Sequence, residues 1–581
     1  MSIPAVAKRH TGPYHKRHTG PYQWIRGGDV NAFFGLMIDN ISGMILMTSL
    51  LVGFGMPRDY VLGRMIPGTA VGVLAGDLIF TALAFRLARR TGRSDVTAMP
   101  LGLDTPSTFG SVILIIGPSF QAALGRGLAA DAAARHAWFL GLTMLLASGI
   151  FKLACAPICG WVRNLVPRAG LLGSLTAIAL AIISFLPLLD IAAFPVAGYV
   201  SLAIILATLT ARWRLPRNVP GALGAVILGC LVYYGMNLAG LGPGLGAEGA
   251  QPSSLLRLAL PAPLSAWWQW FGQSWPEALS YLPVAIPLAL ATVVGGIDCT
   301  ESAAAAGDDY STGQIIAAEG VATLVGGLFG GVIQSTPYIG HPAYKAMGAR
   351  AGYTLATALL VGAAGICGYF DWIFFLIPKA VIFPILIFIG LEITAQSFHA
   401  TSVRHYAAVA LACVPALAYL AMITLNQVLP EVGKPFADLR PQTQHWIATV
   451  TMLSGGFIVT SLLWGTFLTH LIDGRVKPAA ATLLMAGAFA WFGIIHSPLP
   501  SGPINAPAAV LRQLSEEGRA TASAHQTPYH WAAAYAAMAF TVLLLGRFGH
   551  RPAIHEVDGP DPSLPGMPEL ENSIDRPFGP S

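Results

Sequence analysis

The chain has 581 residues, of which 54% are apolar and only 10% charged, against about 25% charged in an ordinary soluble domain. So few charges cannot cover a water-facing surface of this size, which excludes a soluble enzyme, a disordered chain and a nucleic-acid-binding protein. The net charge of +5 reads as an orientation signal of a polytopic membrane protein, as the loops below show.

The first 27 residues are basic and lack the apolar core and cleavage site of a signal peptide. They carry a tandem repeat, Lys8 to Tyr14 and again Lys16 to Tyr22, and are expected to form a disordered cytoplasmic N-terminus (1–27). Apolar runs long enough for membrane helices then fall at 31–55, 65–88, 105–118, 137–158, 166–188, 192–211 and 219–241. An extracytoplasmic aromatic loop (243–277) carries Trp267, Trp268, Trp270 and Trp275 and is expected to lie as a short helix in the membrane interface, where indoles prefer to sit. The second set of runs is 279–305, 312–332, 341–350, 352–370, 376–397, 403–425 and 443–470, followed by two more at 478–496 and 530–547. The Pro-rich, acidic tail (551–581) is expected to be disordered and cytoplasmic.

Charge orients these spans. With the N-terminus inside, 21 basic residues fall in cytoplasmic loops and ten outside, leaving out Lys152 and Arg576. That is the excess the positive-inside rule requires. Sixteen segments with both termini cytoplasmic satisfy it, in a bacterial inner (plasma) membrane. The six cysteines lie inside apolar spans, where a thiol packs as a small hydrophobe. Cys155 and Cys159 are four apart with no His or acid beside them, so neither a metal site nor a cofactor is expected.

Two segments differ from the rest. Thr97 to Gly110 and Gln334 to Lys345 each mix Pro, Gly and hydroxyl residues at membrane depth around a Thr-Pro pair. Proline removes a donor and disfavours helix just before itself, which predicts an extended stretch followed by a half-helix. Backbone left unpaired at membrane depth must be buried in protein or line a cavity. Two such segments at matching places in two halves point to a transporter built of inverted repeats. Pro67 to Gly76 and Gly320 to Gly330 support the repeat weakly, and close helix packing also accounts for their glycines.

Ionisable residues at membrane depth need a reason. They are Asp39, Asp77, Asp104, Asp298, Glu301, Glu319, Glu392, Lys152, His341 and Lys345. Asp298 and Glu301 share one helix face and His341 and Lys345 another, which suggests an acidic face opposite a basic one that binds a polar substrate and carries a coupling proton. Asp77, Lys152 and Glu392 read better as members of buried structural pairs. Asp104, Asp298 and His341, beside the broken segments, read better as functional.

From Asn31 to about His470 the chain resembles the nucleobase/ascorbate (xanthine–uracil) permease family, nearest its purine-permease branch. The resemblance rests on Ile297-Asp298-Cys299-Thr300-Glu301, on Glu319 to Gly326, and on Gln334 to Thr354 with its Gly348-Ala349-Arg350-Ala351-Gly352-Tyr353-Thr354 stretch. It implies an all-α, seven-plus-seven inverted-repeat transporter with core and gate domains. The repeats would be 28–242 and 278–470, and two additional helices (471–550) lie outside the pattern. It further implies that Asp298 is the substrate-binding acid. Asp39 and Asn40 fall where relatives tend to have Gln-His, and Thr105, Pro106 and Ser107 lie on a ligand-facing turn. The family's second acid falls on Gly340, followed by His341.

The function implied is import of a purine or pyrimidine nucleobase by proton-coupled symport, often as a homodimer. Substrate would be bound by Asp298, Glu301, Asp39, Asn40, Asp104, Thr105, Ser107, Tyr338, Ile339, Gly340 and His341, with Asp298, Glu301 and His341 handling the proton. The alternative is a small-anion transporter on a sulfate-permease-like scaffold, favoured by His341, Lys345 and the half-helix N-termini and opposed by Asp298 and Glu301. An enzyme is not expected: Gly76-Asp77 lacks the Gly-x-Gly-Asp form of an intramembrane protease, and no His-Glu-x-x-His or Gly-x-Ser-x-Gly occurs.

Overall fold

The computed structural model describes residues 21–549 apart from 161–166, 243–263, 339, 369, 400, 433–435, 500–505 and 517. The N-terminal repeat, the tail and most of the aromatic loop therefore lie outside the described residues. Among those described, ten helices are long and apolar enough to cross a membrane, or up to eleven if one bent pair counts as a span. This is an integral membrane protein of helices.

The first half contains α1 (Gly28–Gly53), α2 (Ile66–Thr91), strand β1 (Leu101–Leu103), α3 (Thr105–Gly125) and α4 (Ala130–Cys155). It continues with α5 (Arg168–Ile178), α6 (Pro195–Ile205) and α7 (Gly221–Leu238). The second half contains α8 (Leu264–Ala305), α9 (Thr312–Leu328), β2 (Ser335–Pro337), α10 (His341–Ala346) and α11 (Gly352–Ile366). It ends with α12 (Pro384–His399), α13 (Tyr406–Val432), and α14 (Pro441–Ser454) with α15 (Phe457–Ile472), which meet at a 70° bend. Gly456, at φ +66°, supplies the left-handed residue that this bend requires.

The packing is symmetric between the halves. Helix α2 lies against α11, and α9 lies against α4; α2 and α9 cross each other. At that crossing a Cβ on Gly72 would stand 3.0 Å from the Gly326 Cα, so a hydrogen at Gly72 is what lets the backbones meet. In the other set α5 packs on α13 and α15, while α6 and α7 pack on each other and beside α12. The result is two helix sets: a core of α1–α4 and α8–α11, and a gate of α5–α7 and α12–α15.

The two broken segments meet at the centre of the core. Strands β1 and β2 pair antiparallel, with Leu101 opposite Pro337, Gly102 opposite Thr336 and Leu103 opposite Ser335. Asp104 N–H donates to Gln334 O and Tyr338 N–H to Pro100 O, both at 2.9 Å. The extended stretches that the prolines enforce thus satisfy each other's backbone, as membrane depth demands. Helix α3 runs 21 residues to Gly125 through a wide turn at Val112–Ile116, longer than the apolar run 105–118. Helix α10 has only six residues.

One expectation needs correction. The aromatic stretch is not a separate interfacial helix from Leu264 onward, because α8 is continuous over 42 residues. The reason is that its indoles bind α4: Trp267 Nε1–H donates to Thr143 Oγ1 at 3.0 Å and Trp270 Nε1–H to His136 Nδ1 at 2.9 Å. Of the two extra helices, α16 (Val476–Trp491) has 16 residues and α17 (Pro528–Phe548) has 21. At 1.5 Å per residue α16 is about 24 Å long, short of the roughly 30 Å hydrocarbon core. The pair is tied to α14 by His496, which stacks on Trp531 of α17 at 3.9 Å and has its Nδ1 3.1 Å from Met452 O, and to α15 by Trp464, whose Nε1–H donates to the Tyr535 hydroxyl at 2.8 Å.

Candidate functional site

A cavity of about 110 Å³ lies between core and gate. The core wall is Asp39 of α1, the Leu103–Pro106 turn, Thr292, Gly295, Asp298 and Cys299 of α8, and Thr336, Pro337 and Tyr338 around β2. The gate wall is Leu172 and Leu175 of α5 with Ile389, Glu392, Ile393 and Ser397 of α12. One wall is therefore carried by each helix set, and any sliding of gate against core changes the cavity's access.

The turn between β1 and α3 is built by Asp104. Its Oδ2 accepts the Ser107 N–H at 2.7 Å and its carbonyl accepts the Thr108 N–H at 2.9 Å, the geometry of an N-cap. Two N–H groups of the first turn are thus taken by the chain itself. Thr105 opens the helix at the cavity; Pro106 has no N–H and the Ser107 and Thr108 N–H groups go to Asp104, so the Thr105 N–H is the first-turn donor that remains. The macrodipole adds partial positive charge there. Asp39 reaches the same floor, since a Cβ on Gly102 would lie 3.1 Å from its Oδ2.

Of the site residues expected from sequence, Asp39, Asp104, Thr105, Asp298 and Tyr338 come together around the cavity. Ile339 is outside the described residues. Asn40 does not line the cavity: it is buried in α1 and its Nδ2 donates to Leu36 O at 2.9 Å. Ser107 turns back, its hydroxyl 3.2 Å from Asp104 O. Glu301 and Gly340 are also absent from the lining.

His341 and Lys345 do not face Asp298 and Glu301. They share a face, as four-residue spacing requires, but that face meets Asp308 in the α8–α9 loop. Lys345 Nζ is 2.6 Å and His341 Nε2 3.3 Å from Asp308 Oδ2, and Arg93 Nη1 is 3.2 Å from Oδ1. Asp308 Oδ2 also accepts the Thr97 N–H at 3.1 Å. His341 Nε2 is 3.2 Å from Thr97 O as well, so with two acceptors beside it this nitrogen carries the proton. The basic pair holds the approach to β1 and is not a wall of the cavity.

Sequence reasoning missed the gate wall and the role of Asp308. Glu392 was visible as a lone acid in an apolar run, but its place opposite Asp298 follows only from helix packing. Lys152 and Glu319 form a pair at 2.7 Å, both fully buried, and Asp77 accepts the Leu101 N–H at 3.3 Å.

No family model matches the chain, and no curated protein does. Similar solved structures include the transmembrane domain of a cyanobacterium bicarbonate transporter, BicA, at 16% identity over 71% of this chain and 99% of that one, with a TM-score of 0.46. They also include SLC26A9, at 12% identity over 77% of this chain and 65% of that one (TM-score 0.47). A third is the murine Slc26a9 anion transporter in its inward-facing state, at 15% over 70% and 69% (TM-score 0.45).

These findings correct the resemblance to the nucleobase/ascorbate permeases: the similar structures are anion and bicarbonate transporters. Two of the stretches that carried the resemblance serve the scaffold, while Ile297 to Glu301 places Asp298 and Cys299 at the cavity. Glu319 to Gly326 packs α9 onto α2 and α4. In Gly348 to Thr354, Asp29 Oδ1 accepts the N–H groups of Arg350 and Tyr353 at 2.9 and 3.0 Å. The homodimer implied by that resemblance rested on the family alone.

Proposed function

We propose that this chain is a secondary-active membrane transporter that moves a small anion together with a proton through the cavity between core and gate. The observation that carries this reading is the cavity's composition. The α3 N-terminus opens onto it with the Thr105 N–H and the partial positive charge of the helix start, which together favour an anion. Around the same space stand four carboxylates, Asp39, Asp104, Asp298 and Glu392. An anion cannot share a small space with several ionised acids, since like charges at contact distance repel strongly in a low dielectric. Protonation of those acids removes the repulsion, which makes proton entry a condition of anion entry and so couples the two.

Asp298 and Glu392 are the proposed proton carriers, being on opposite walls, and Asp104 with Thr105 the anion-binding turn. Movement of α5 and α12 against the core then alternates access. By the loop charges, both termini lie on the cytoplasmic side.

The test is uptake into proteoliposomes. Labelled bicarbonate, chloride or sulfate should accumulate under an inward proton gradient, and Asp298→Asn should weaken the gradient's effect while the protein stays folded. Uptake of a neutral, N–H-rich solute that no anion competes with would overturn the proposal, because the carboxylates would then be hydrogen-bond acceptors for that solute.

A further inference from the structure

The two halves hold their broken strands by matching residues with different chemistry. In the second half Glu319 and Thr323 stand four apart on α9, on one face. Lys152, from the crossing helix α4, lies 2.7 Å from Glu319 and 3.4 Å from Thr323 Oγ1. Its Nζ donates to Ser335 O, the first residue of β2, at 2.9 Å. In the first half Asp77 and Thr81 stand four apart on α2. The crossing helix is now α11, and it offers Thr354, whose Oγ1 is 2.7 Å from that of Thr81. Asp77 Oδ1 accepts the N–H of Leu101, the first residue of β1.

Asp77 is thus the counterpart of Glu319 without its lysine. It is fully buried, its Oδ2 has no hydrogen-bond partner, and no Lys, Arg or His lies within 4.0 Å of it among the described residues. The titratable groups facing it are the phenols of Tyr344 on α10 and Tyr353 on α11, and Tyr353 spends its O–H on Ala98 O at 2.8 Å. On α9 the acid is Glu319, already matched by Lys152, and β1 and β2 carry no ionisable side chain. An ionised carboxylate in such surroundings costs several kcal/mol. Among the described residues no cation reaches it and its side chain is closed to bulk solvent, which leaves a bound proton as the way to neutralise it.

We propose that Asp77 is a proton-binding site outside the cavity, holding its proton as a neutral acid while its other oxygen clasps the start of β1. Asp104, on the cavity floor, follows directly on the end of that strand. The proton on Asp77 therefore maintains the geometry of the substrate turn from behind, as the Lys152–Glu319 pair does in the other half by fixed charge. This inference stands on the α2–β1 contact and does not depend on which solute is carried.

Infrared difference spectroscopy on the full chain in lipid nanodiscs tests it. The parent protein at neutral pH, where an ordinary aspartate of pKa about 3.9 is ionised, should show a carboxylic-acid carbonyl band that disappears in Asp77→Asn. Asparagine retains an oxygen for the Leu101 N–H, so the variant should unfold at the parent's temperature. Asp77→Glu should retain the acid band at a displaced frequency. A parent-minus-Asn spectrum that shows loss of a carboxylate band, or no change, overturns the proposal. If the Asn variant does not fold, an acid region left undisplaced in the Glu variant overturns it equally.

Discussion

Breaking the Lys152–Glu319 pair is the sharpest test of how the core is held. Both side chains are fully buried and 2.7 Å apart, and Lys152 also supplies the donor to Ser335 O. Lys152→Met preserves length and apolar stem but leaves Glu319 without a cation and Ser335 O with only the longer contact from the Thr323 hydroxyl, at 3.4 Å. Removing one member of a buried pair costs about 3–5 kcal/mol. A charge-assisted hydrogen bond of the kind made to Ser335 accounts for about 1.5–3 kcal/mol of that. Glu319→Gln leaves an unmatched ammonium that still holds Ser335 O, so it should fall at the lower end of the range. The double variant Lys152→Met/Glu319→Gln buries no charge, and its cost should be well below the sum of the two singles. Equilibrium unfolding in mixed micelles, read as a double-mutant cycle, should give a coupling of at least about 2 kcal/mol. Singles that each cost under about 1 kcal/mol and simply add would refute the reasoning, because they would mean that water or lipid headgroups solvate the site.

Asp308→Asn should remove an acid-sensitive component of stability. Burial on its own raises the Asp308 carboxyl, but the hydrogen bond from His341 and the charge of Lys345 outweigh it and hold the group below the usual carboxylate range. A depressed folded value means the stabilisation is complete above the unfolded value of about 3.9 and is lost as pH falls through the folded value. The parent's thermal midpoint should drop over that acid window and the variant's should drop less; parallel curves would refute the assignment. Gly72→Val should destabilise by about 1–3 kcal/mol through overpacking, since its Cβ meets the Gly326 Cα at 3.0 Å and the Ala322 carbonyl oxygen at 3.1 Å. Chemical denaturation checks this, and an unchanged midpoint would show that α2 and α9 can part at no cost.

The helices and the two breaks are legible in the sequence because they depend on local chemistry. Apolar runs set the spans, and Pro100, Pro106, Pro337 and Pro342 dictate where the chain must be extended. Which charges meet is a different matter. Spacing puts His341 and Lys345 on one face, but nothing local says that the face meets Asp308, a loop residue more than 30 positions away in sequence. Asp298 and Glu392 are separated by 94 positions, and only the docking of α12 against the core brings them to one cavity. The aromatic stretch misled for a related reason. Indoles favour an interface when free, but Trp267 and Trp270 had partners waiting on α4. The family resemblance followed glycine-rich stretches that record helix contact, and helix contact is shared by scaffolds that carry different solutes.

The protein's own cations sharpen the reading of the cavity. Lys152 is spent on Glu319, and Lys345 and Arg93 on Asp308; among the described residues that line the space there is no Lys, Arg or His. An anion there finds the Thr105 end of α3 and carboxylates, so its affinity is set by how many of those carboxylates are protonated. Each proton taken up removes one repulsive charge, and affinity for a small anion should therefore rise as pH falls, within the range where the protein stays folded. Asp298→Asn and Glu392→Gln each mimic the protonated acid and should bind the anion more tightly than the parent at neutral pH, with a shallower pH slope. The combined variant should be shallower still. Titration of sulfate or bicarbonate against intrinsic tryptophan fluorescence in nanodiscs measures both quantities. An affinity that does not change with pH, or that falls in the two neutral variants, would mean that the acids hold the solute directly and that charge compensation is not what links proton to anion.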